Sequence, residues 1–208
     1  MMRTSRVEKT VHYAVLIILA ILFVLPLLWM LFASVDPNAI QALKIPEKFT
    51  LQNYIDIVTD PNILRSFFIG ILISGGQSLI VVFLSLLAAY PLSRYQAKYK
   101  KSFMYTILFI TSLPMTAVIV PVFQMFLILN FVDKLWAVTF FLSGTSLPYA
   151  IWMMKNFMDS VPLDLEESAW IDGASVWQGI KKVVFPLMIP GIFTVFIFTF
   201  TGSWGNFF

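Results

Sequence analysis

The residues able to do chemistry are few and unevenly placed. The 208-residue chain has no cysteine, so disulfides, zinc–thiolate sites and cysteine nucleophiles are excluded. Its one histidine, His12, stands at the edge of the first apolar run, where an interfacial role is expected rather than a catalytic or metal-binding one. No GxxxxGK[ST] phosphate loop occurs, so any phosphate contacts must come from another chain. What remains is concentrated in residues 162–186, PLDLEESAWIDGASVWQGIKKVVFP, a polar stretch between two long uncharged runs. Its acids Asp164, Glu166, Glu167 and Asp172 and its bases Lys181 and Lys182 offer charge pairing and helix-end electrostatics.

The elements that must position these groups follow from local rules. Pro162 opens a helix, because its fixed φ suits the first turn and its missing N–H would be unpaired there. Asp164, Glu166 and Glu167 then lie at the positive end of the helix dipole, and a short helix is predicted over residues 163–172. Gly173 stops it, since glycine accepts the left-handed conformation that commonly follows a last helical residue. Ser175 caps the next helix, and Gln178, three residues on, completes a capping box. Lys181 and Lys182 precede the apolar run 183–189, so the second helix leads towards a membrane, with Pro186 and the Pro190-Gly191 pair bending the approach. The pattern is a helix, a turn and a helix held at a lipid surface. The plainer alternative is a solvated amphipathic loop whose acids only favour a helix start.

Glu167-Ser168-Ala169, then Gly173, then Val183 and Phe185-Pro186, resemble the EAA motif of importer-type ABC transporter permeases: Glu-Ala-Ala, three residues, Gly, nine residues, Ile-x-Leu-Pro. Ser168, Val183 and Phe185 depart from that wording but keep its small or apolar character. Leu147-Pro148-Tyr149-Ala150, Val161-Pro162, Ile171-Asp172-Gly173-Ala174-Ser175, Pro186-Leu187 and Pro190-Gly191 are similar to the carbohydrate-uptake branch, in particular its second, maltose-type permease. The resemblance runs from about residue 16 to the end and outside the loop is mostly pattern. It implies an all-α, polytopic transmembrane bundle of the type I importer permease (MetI-like) architecture. It also implies that the helix-turn-helix docks in a groove of an ATPase subunit. Glu167 would pair there with a basic group, Ala169 would keep the contact close and Gly173 would make the turn. Glu166, Ser168, Asp172 and Ala174 complete the coupling set, with Val183 and Pro186 framing the loop. The implied partners are two ABC ATPase subunits that carry ATP and Mg, a second permease subunit and an external solute-binding protein. The implied location is a bacterial or archaeal plasma (inner) membrane; no cofactor on this chain and no nucleic acid are implied.

Composition points independently to the membrane. With 59% hydrophobic and 12% charged residues and a mean hydropathy of +0.85, the chain is too apolar for an ordinary soluble domain, in which about a quarter of residues are charged. Residues 1–12 form a basic tail with Arg3, Arg6 and Lys9, and residues 13–35 a first span, long enough for the hydrocarbon core. A cleaved signal peptide is rejected because the run exceeds a signal core of roughly 7–15 residues and lacks a small-x-small close. Residues 36–65 read as an external loop with one short helix over 51–58; the family would set it near the mouth that receives the binding protein, and a simple connector is the alternative. Residues 66–93 form the second span, with Gly70, Ser74 and Ser78 as a small-residue stripe for close helix approach and Gly75-Gly76 as a place to bend. The basic loop 94–101 holds Arg94, Lys98, Lys100 and Lys101; a nucleic-acid patch is set aside because the cluster is short and lies between spans. Residues 102–132, broken by Pro114 and Pro121, read as a kinked third span leaving the membrane into an interfacial segment near 126–131. Residues 135–154 form the fourth span, 155–186 the organising loop and 187–208 the fifth span.

Lysine and arginine counts orient this arrangement. With the amino terminus inside, ten fall on inner segments (Arg3, Arg6, Lys9, Arg94, Lys98, Lys100, Lys101, Lys155, Lys181 and Lys182) and four on outer ones (Lys44, Lys48, Arg65 and Lys134). The organising loop is then cytoplasmic. Family members end inside after a sixth span, often with a Trp-Asn pair before it, whereas this chain stops at Phe208 at the outer end of the fifth; a fragment or truncated gene product is the expectation.

No ionisable residue lies inside a span, which argues against a proton- or ion-coupled carrier. Gln77, Gln124, Asn130, Ser143, Thr145, Ser146 and Tyr149 are able to hydrogen-bond sugar hydroxyls, but helix-to-helix bonding is the commoner use of such groups and none is nominated. The reading is therefore a permease subunit for sugars or oligosaccharides. A permease of the same build for peptides or polyamines, a secondary carrier and a purely structural membrane subunit are the alternatives.

Overall fold

The structure, a computed structural model, describes residues 6–40 and 44–206. Arg3 of the basic tail and the closing Phe207 and Phe208 lie outside the described residues. Every regular element among the described residues is helical. Four helices are long and apolar enough to cross a membrane, or five if one bent pair counts as a span.

The first compact unit ends at Phe67. It holds α1 (Arg6–Ser34), with Pro26 inside the helix, and α2 (Gln52–Thr59). The chain between them is pinned by Asn53, whose side-chain amide donates to the carbonyls of Ser34 and Asp36, and by Thr50 N–H donating to Val35 C=O. The predicted apolar face of α2, Leu51, Tyr54, Ile55 and Val58, is exposed.

The second unit begins at Phe68 and carries the core. α3 (Pro61–Arg94) starts ahead of residue 66 because the Asp60 carboxylate accepts from Asn62 N–H and Pro61 takes the first helical position. It is α-helical straight through Gly75-Gly76. Its buried side is Ser74, Gln77, Ser78, Val81, Ser85 and Ala89, of which Ser74, Ser78, Ser85 and Ala89 are small enough to let neighbours approach closely. A Cβ added at Gly76 would touch Thr139 at 3.5 Å, and one at Gly70 would press on the Trp204 ring at 3.1 Å.

α4 (Lys100–Thr111) and α5 (Met115–Ile128) stand where one kinked span was expected. They meet at 88°. The break falls at Pro114, which is extended (ψ 128°) and which, like any proline, disfavours helix in the residue before it. Pro121 stays inside α5. α6 (Leu135–Asp159) runs past residue 154 by more than a turn, supported by the Lys155–Asp159 ion pair four residues apart. α7 (Leu163–Ile171), α8 (Val176–Gly179) and α9 (Phe185–Trp204) complete the chain, with a π-helical turn, Ile180–Val184, between the last two.

The core lies among α3, α6, the π turn and α9. Val81, Ala89, Ala150, Met154, Met158, Val161, Val184, Met188 and Val195 form one buried cluster. α6 and α9 are in close contact: a Cβ on Gly191 would fall 2.6 Å from Phe157 Cγ. Glycine there is a packing requirement.

Candidate coupling site

The polar stretch forms a helical hairpin held by its own backbone. α7 ends in a Schellman arrangement: Gly173 takes φ +87°, its N–H donates to Trp170 C=O at 3.0 Å, and Ala174 N–H donates to Ala169 C=O at 2.9 Å. α8 starts in a reciprocal capping box, with Gln178 N–H donating to Ser175 Oγ at 3.3 Å and Ser175 N–H donating to Gln178 Oε1 at 2.8 Å. The two arms are locked by the Trp170 ring, whose Nε1 lies 3.1 Å from where a Cβ on Gly179 would be. Any side chain there would push the arms apart.

This folding sorts the predicted site residues onto two faces. Glu167, Ser168, Asp172 and Gly173 are exposed, and Ala169 and Ala174 are half-buried. The Ser168 hydroxyl donates to Asp164 C=O at 2.8 Å. Ile171 and Trp177 add apolar surface on the outer side, at 86% and 70% exposure. Val183 is half-buried and Pro186 exposed, where the hairpin runs into α9.

Glu166 does not belong with the exposed set. Its side chain is 1% exposed and its Oε1 accepts from Arg94 Nε at 2.5 Å, while Oε2 accepts from the Tyr90 hydroxyl at 3.1 Å. An outward coupling role for Glu166 is corrected on that ground. The physical reason is the helical step: neighbouring residues point about 100° apart, so only one of the adjacent acids can face inward. Arg94 likewise is not a free member of the basic loop. Its guanidinium also donates to the carbonyls of Met158 (3.3 Å), in the last turn of α6, and Val161 (3.1 Å), just past its end. Next to it, Ser93 Oγ donates to Asp159 Oδ1 at 2.7 Å. One arginine therefore joins the end of α3, the end of α6 and α7. Sequence reasoning missed Arg94, Tyr90 and Asp159, which lie far from Glu166 along the chain; a basic residue at the last turn of an uncharged run was the sole hint.

The hairpin passes into α9 through the π turn. Phe185 N–H donates to Ile180 C=O, one residue further back than in an α-helix. Pro186 follows at once, and a proline has no N–H for the preceding turn and crowds its carbonyl. The wider turn relieves that crowding.

Residues 81–208 match the family model described as "Binding-protein-dependent transport system inner membrane component", a stretch that includes Arg94, the hairpin and all of α9. This chain belongs to that family. The permease is 30% identical over 203 residues to the sulfoquinovosyl glycerol transport system permease protein SmoH of Agrobacterium fabrum, covering 96% of the chain and 71% of SmoH. It is 30% identical to the galactooligosaccharides transport system permease protein GanQ of Bacillus subtilis, with 94% and 71% covered. It is 28% identical to the trehalose/maltose transport system permease protein MalG of Thermococcus litoralis, with 92% and 70% covered. Its fold matches a chain of a bacterial ABC transporter involved in the import of the acidic polysaccharide alginate, at a TM-score of 0.78 and 21% identity, covering all of the permease and 74% of that chain. The permease is thus an all-α, multi-pass membrane subunit of an ABC importer.

Proposed function

We propose that the permease serves an ATP-driven importer of sugars or oligosaccharides in a bacterial or archaeal plasma membrane, with the α7–α8 hairpin as the surface on which an ATPase subunit docks. The observation that carries this is the outer face of the hairpin. The hairpin exposes Ile171 at 86%, Trp177 at 70% and the Glu167 carboxylate, which offer a partner both apolar contact and a charge to pair with. Glu167 is placed to meet a basic group, while Glu166 holds the hairpin to the bundle from behind.

The lysine and arginine bias supports an amino terminus and a hairpin on the cytoplasmic side. ATP and Mg would sit on two ATPase subunits, and closure of that pair would move the hairpin and with it the spans. A second permease subunit and an external solute-binding protein complete the assembly. The sugar reading is supported by the substrates in the names of SmoH, GanQ and MalG, and the absence of ionisable residues inside the spans read from the sequence speaks against an ion-coupled carrier.

The test uses the absence of cysteine. Ile171→Cys gives a single thiol, which should crosslink to the ATPase subunit in the assembled transporter. Glu167→Lys should weaken co-purification of the ATPase by charge reversal. Assembled transporter that yields no crosslink from position 171 refutes the docking surface.

A further inference from the structure

A cavity of about 420 Å³ opens among α4, α6 and α9, lined by Thr111, Thr145, Ser146, Tyr149, Phe198, Thr199 and Gly202. We propose that it is a contact site for a neutral, polyhydroxylated solute on its way through the permease; this rests on the sugar-import reading above.

The volume lies within the range of small-molecule sites, about 300–1,000 Å³. Its chemistry is specific: hydroxyls and aromatic faces, and no charged residue. The hydroxyls are of two kinds. Those of Thr111, Thr145 and Thr199 donate to their own helices, at Leu108 C=O (2.7 Å), Leu142 C=O (3.0 Å) and Val195 C=O (2.8 Å), so what they still offer is a lone pair. Those of Ser146 and Tyr149 make no hydrogen bond among the described residues, so they are able both to donate and to accept. A sugar hydroxyl also donates and accepts, and such a mixed set suits it. A cation would find no carboxylate here and an anion no basic group. The Tyr149 ring stacks on Trp152 at 6.3 Å and 26°, a rigid apolar face of the kind a sugar ring's C–H face lies against.

Gly202 makes the wall a usable one. A Cβ at this position would meet nothing within 4 Å, so the glycine is not filled by the permease's own packing, unlike Gly191 and Gly179. A larger side chain there starts from open space at a residue that lines the cavity, so it is the substitution placed to narrow it. Gly144 on α6 is equally open and is not part of the lining, which makes it a matched control.

The experiment is initial-rate uptake into vesicles that hold the complete transporter, with labelled maltose, trehalose and a galactooligosaccharide as probes. Ser146→Ala and Tyr149→Phe should each lower the rate at subsaturating loaded binding protein by about 2- to 10-fold, the size of one hydrogen bond. Gly202→Leu should reduce uptake at least as much, and more for the galactooligosaccharide than for the disaccharides, whereas Gly144→Leu should transport as the unaltered chain does. Co-purification of the second permease and the ATPase is measured on each variant. Variants that assemble and transport at the unaltered rate overturn the proposed site and leave sugar import standing. Gly202→Leu that loses the second permease gives the cavity to a helix of that partner and overturns the site as well. Unaltered transporter that accumulates a labelled peptide or polyamine and none of the three probes overturns the sugar reading itself.

Discussion

Replacing Glu166 by leucine removes the carboxylate that ties α7 to the bundle while keeping most of the volume. The Glu166 side chain is 1% exposed and that of Arg94 9%, so bulk water does not take the place of the lost partner. Breaking one side of a buried pair costs about 3–5 kcal/mol, because the remaining charge stays uncompensated. In a chain of this length each kcal/mol lowers the melting temperature by about 2–4 °C, so Glu166→Leu should melt roughly 6–20 °C lower. Arg94→Met should cost at least as much, since the Met158 and Val161 carbonyls lose their donor too. The double variant leaves no orphan charge, and replacing a whole buried pair with apolar groups is often neutral. It should therefore recover the part of the loss that comes from the orphan charge, while the Met158 and Val161 carbonyls stay without their donor. The assay is thermal unfolding of the purified transporter, with hydrogen exchange followed over α7. In the single variants the amides of α7 should exchange faster, and uptake per ATP hydrolysed should fall. If the loss in the double variant equals the sum of the singles within about 0.5 kcal/mol, the two residues act independently and the tether is refuted.

Three further outcomes follow from the same geometry. Gly173→Val forces a β-branched residue into a φ of +87°, at a cost of about 1–3 kcal/mol, and should open the turn so that the assembled transporter hydrolyses ATP without uptake; normal uptake would contradict it. Gly191→Ala sets a methyl 2.6 Å from Phe157 Cγ and should destabilise by about 1–3 kcal/mol in thermal unfolding, with partial rescue by Phe157→Leu; an unchanged melting temperature would mean that α6 and α9 are looser than described. Gln77 is fully buried with its amide nitrogen unpartnered, so Gln77→Met should be neutral or stabilising by about 1 kcal/mol, and a clear drop in melting temperature would reveal a partner for that amide.

The hairpin was legible because its rules are local. Pro162, Gly173 and the Ser175/Gln178 pair act over three or four residues, and each appears in the structure in the conformation its chemistry demands. The buried stripe of α3 was legible for a similar reason, since Ser74 and Ser78 repeat at helical spacing. The division of labour between Glu166 and Glu167 was not. Both favour a helix start, and only the position of Arg94, brought up by the packing of α3 on α6, decides which acid turns inward. Nor do the prolines announce which of them breaks a helix. Pro91, Pro121, Pro148 and Pro190 stay inside helices, and Pro114 separates α4 from α5.

Under the proposed docking role, these contacts are the routes by which movement at the hairpin would reach the spans. α7 is joined through Arg94 to the ends of α3 and α6, with both partners buried and several bonds made by one planar group. That joint is stiff, because the guanidinium cannot swing without leaving a charge unpaired. α8 instead runs into α9 through a π turn and a proline, where one backbone hydrogen bond is lengthened to five residues and the next donor is missing. That joint is the softer of the two. A displacement of the hairpin should thus carry α3 and α6 along as a unit and be taken up by bending at Ile180–Val184. The wall of the cavity that α6 shares with α9 would then widen or narrow with each stroke.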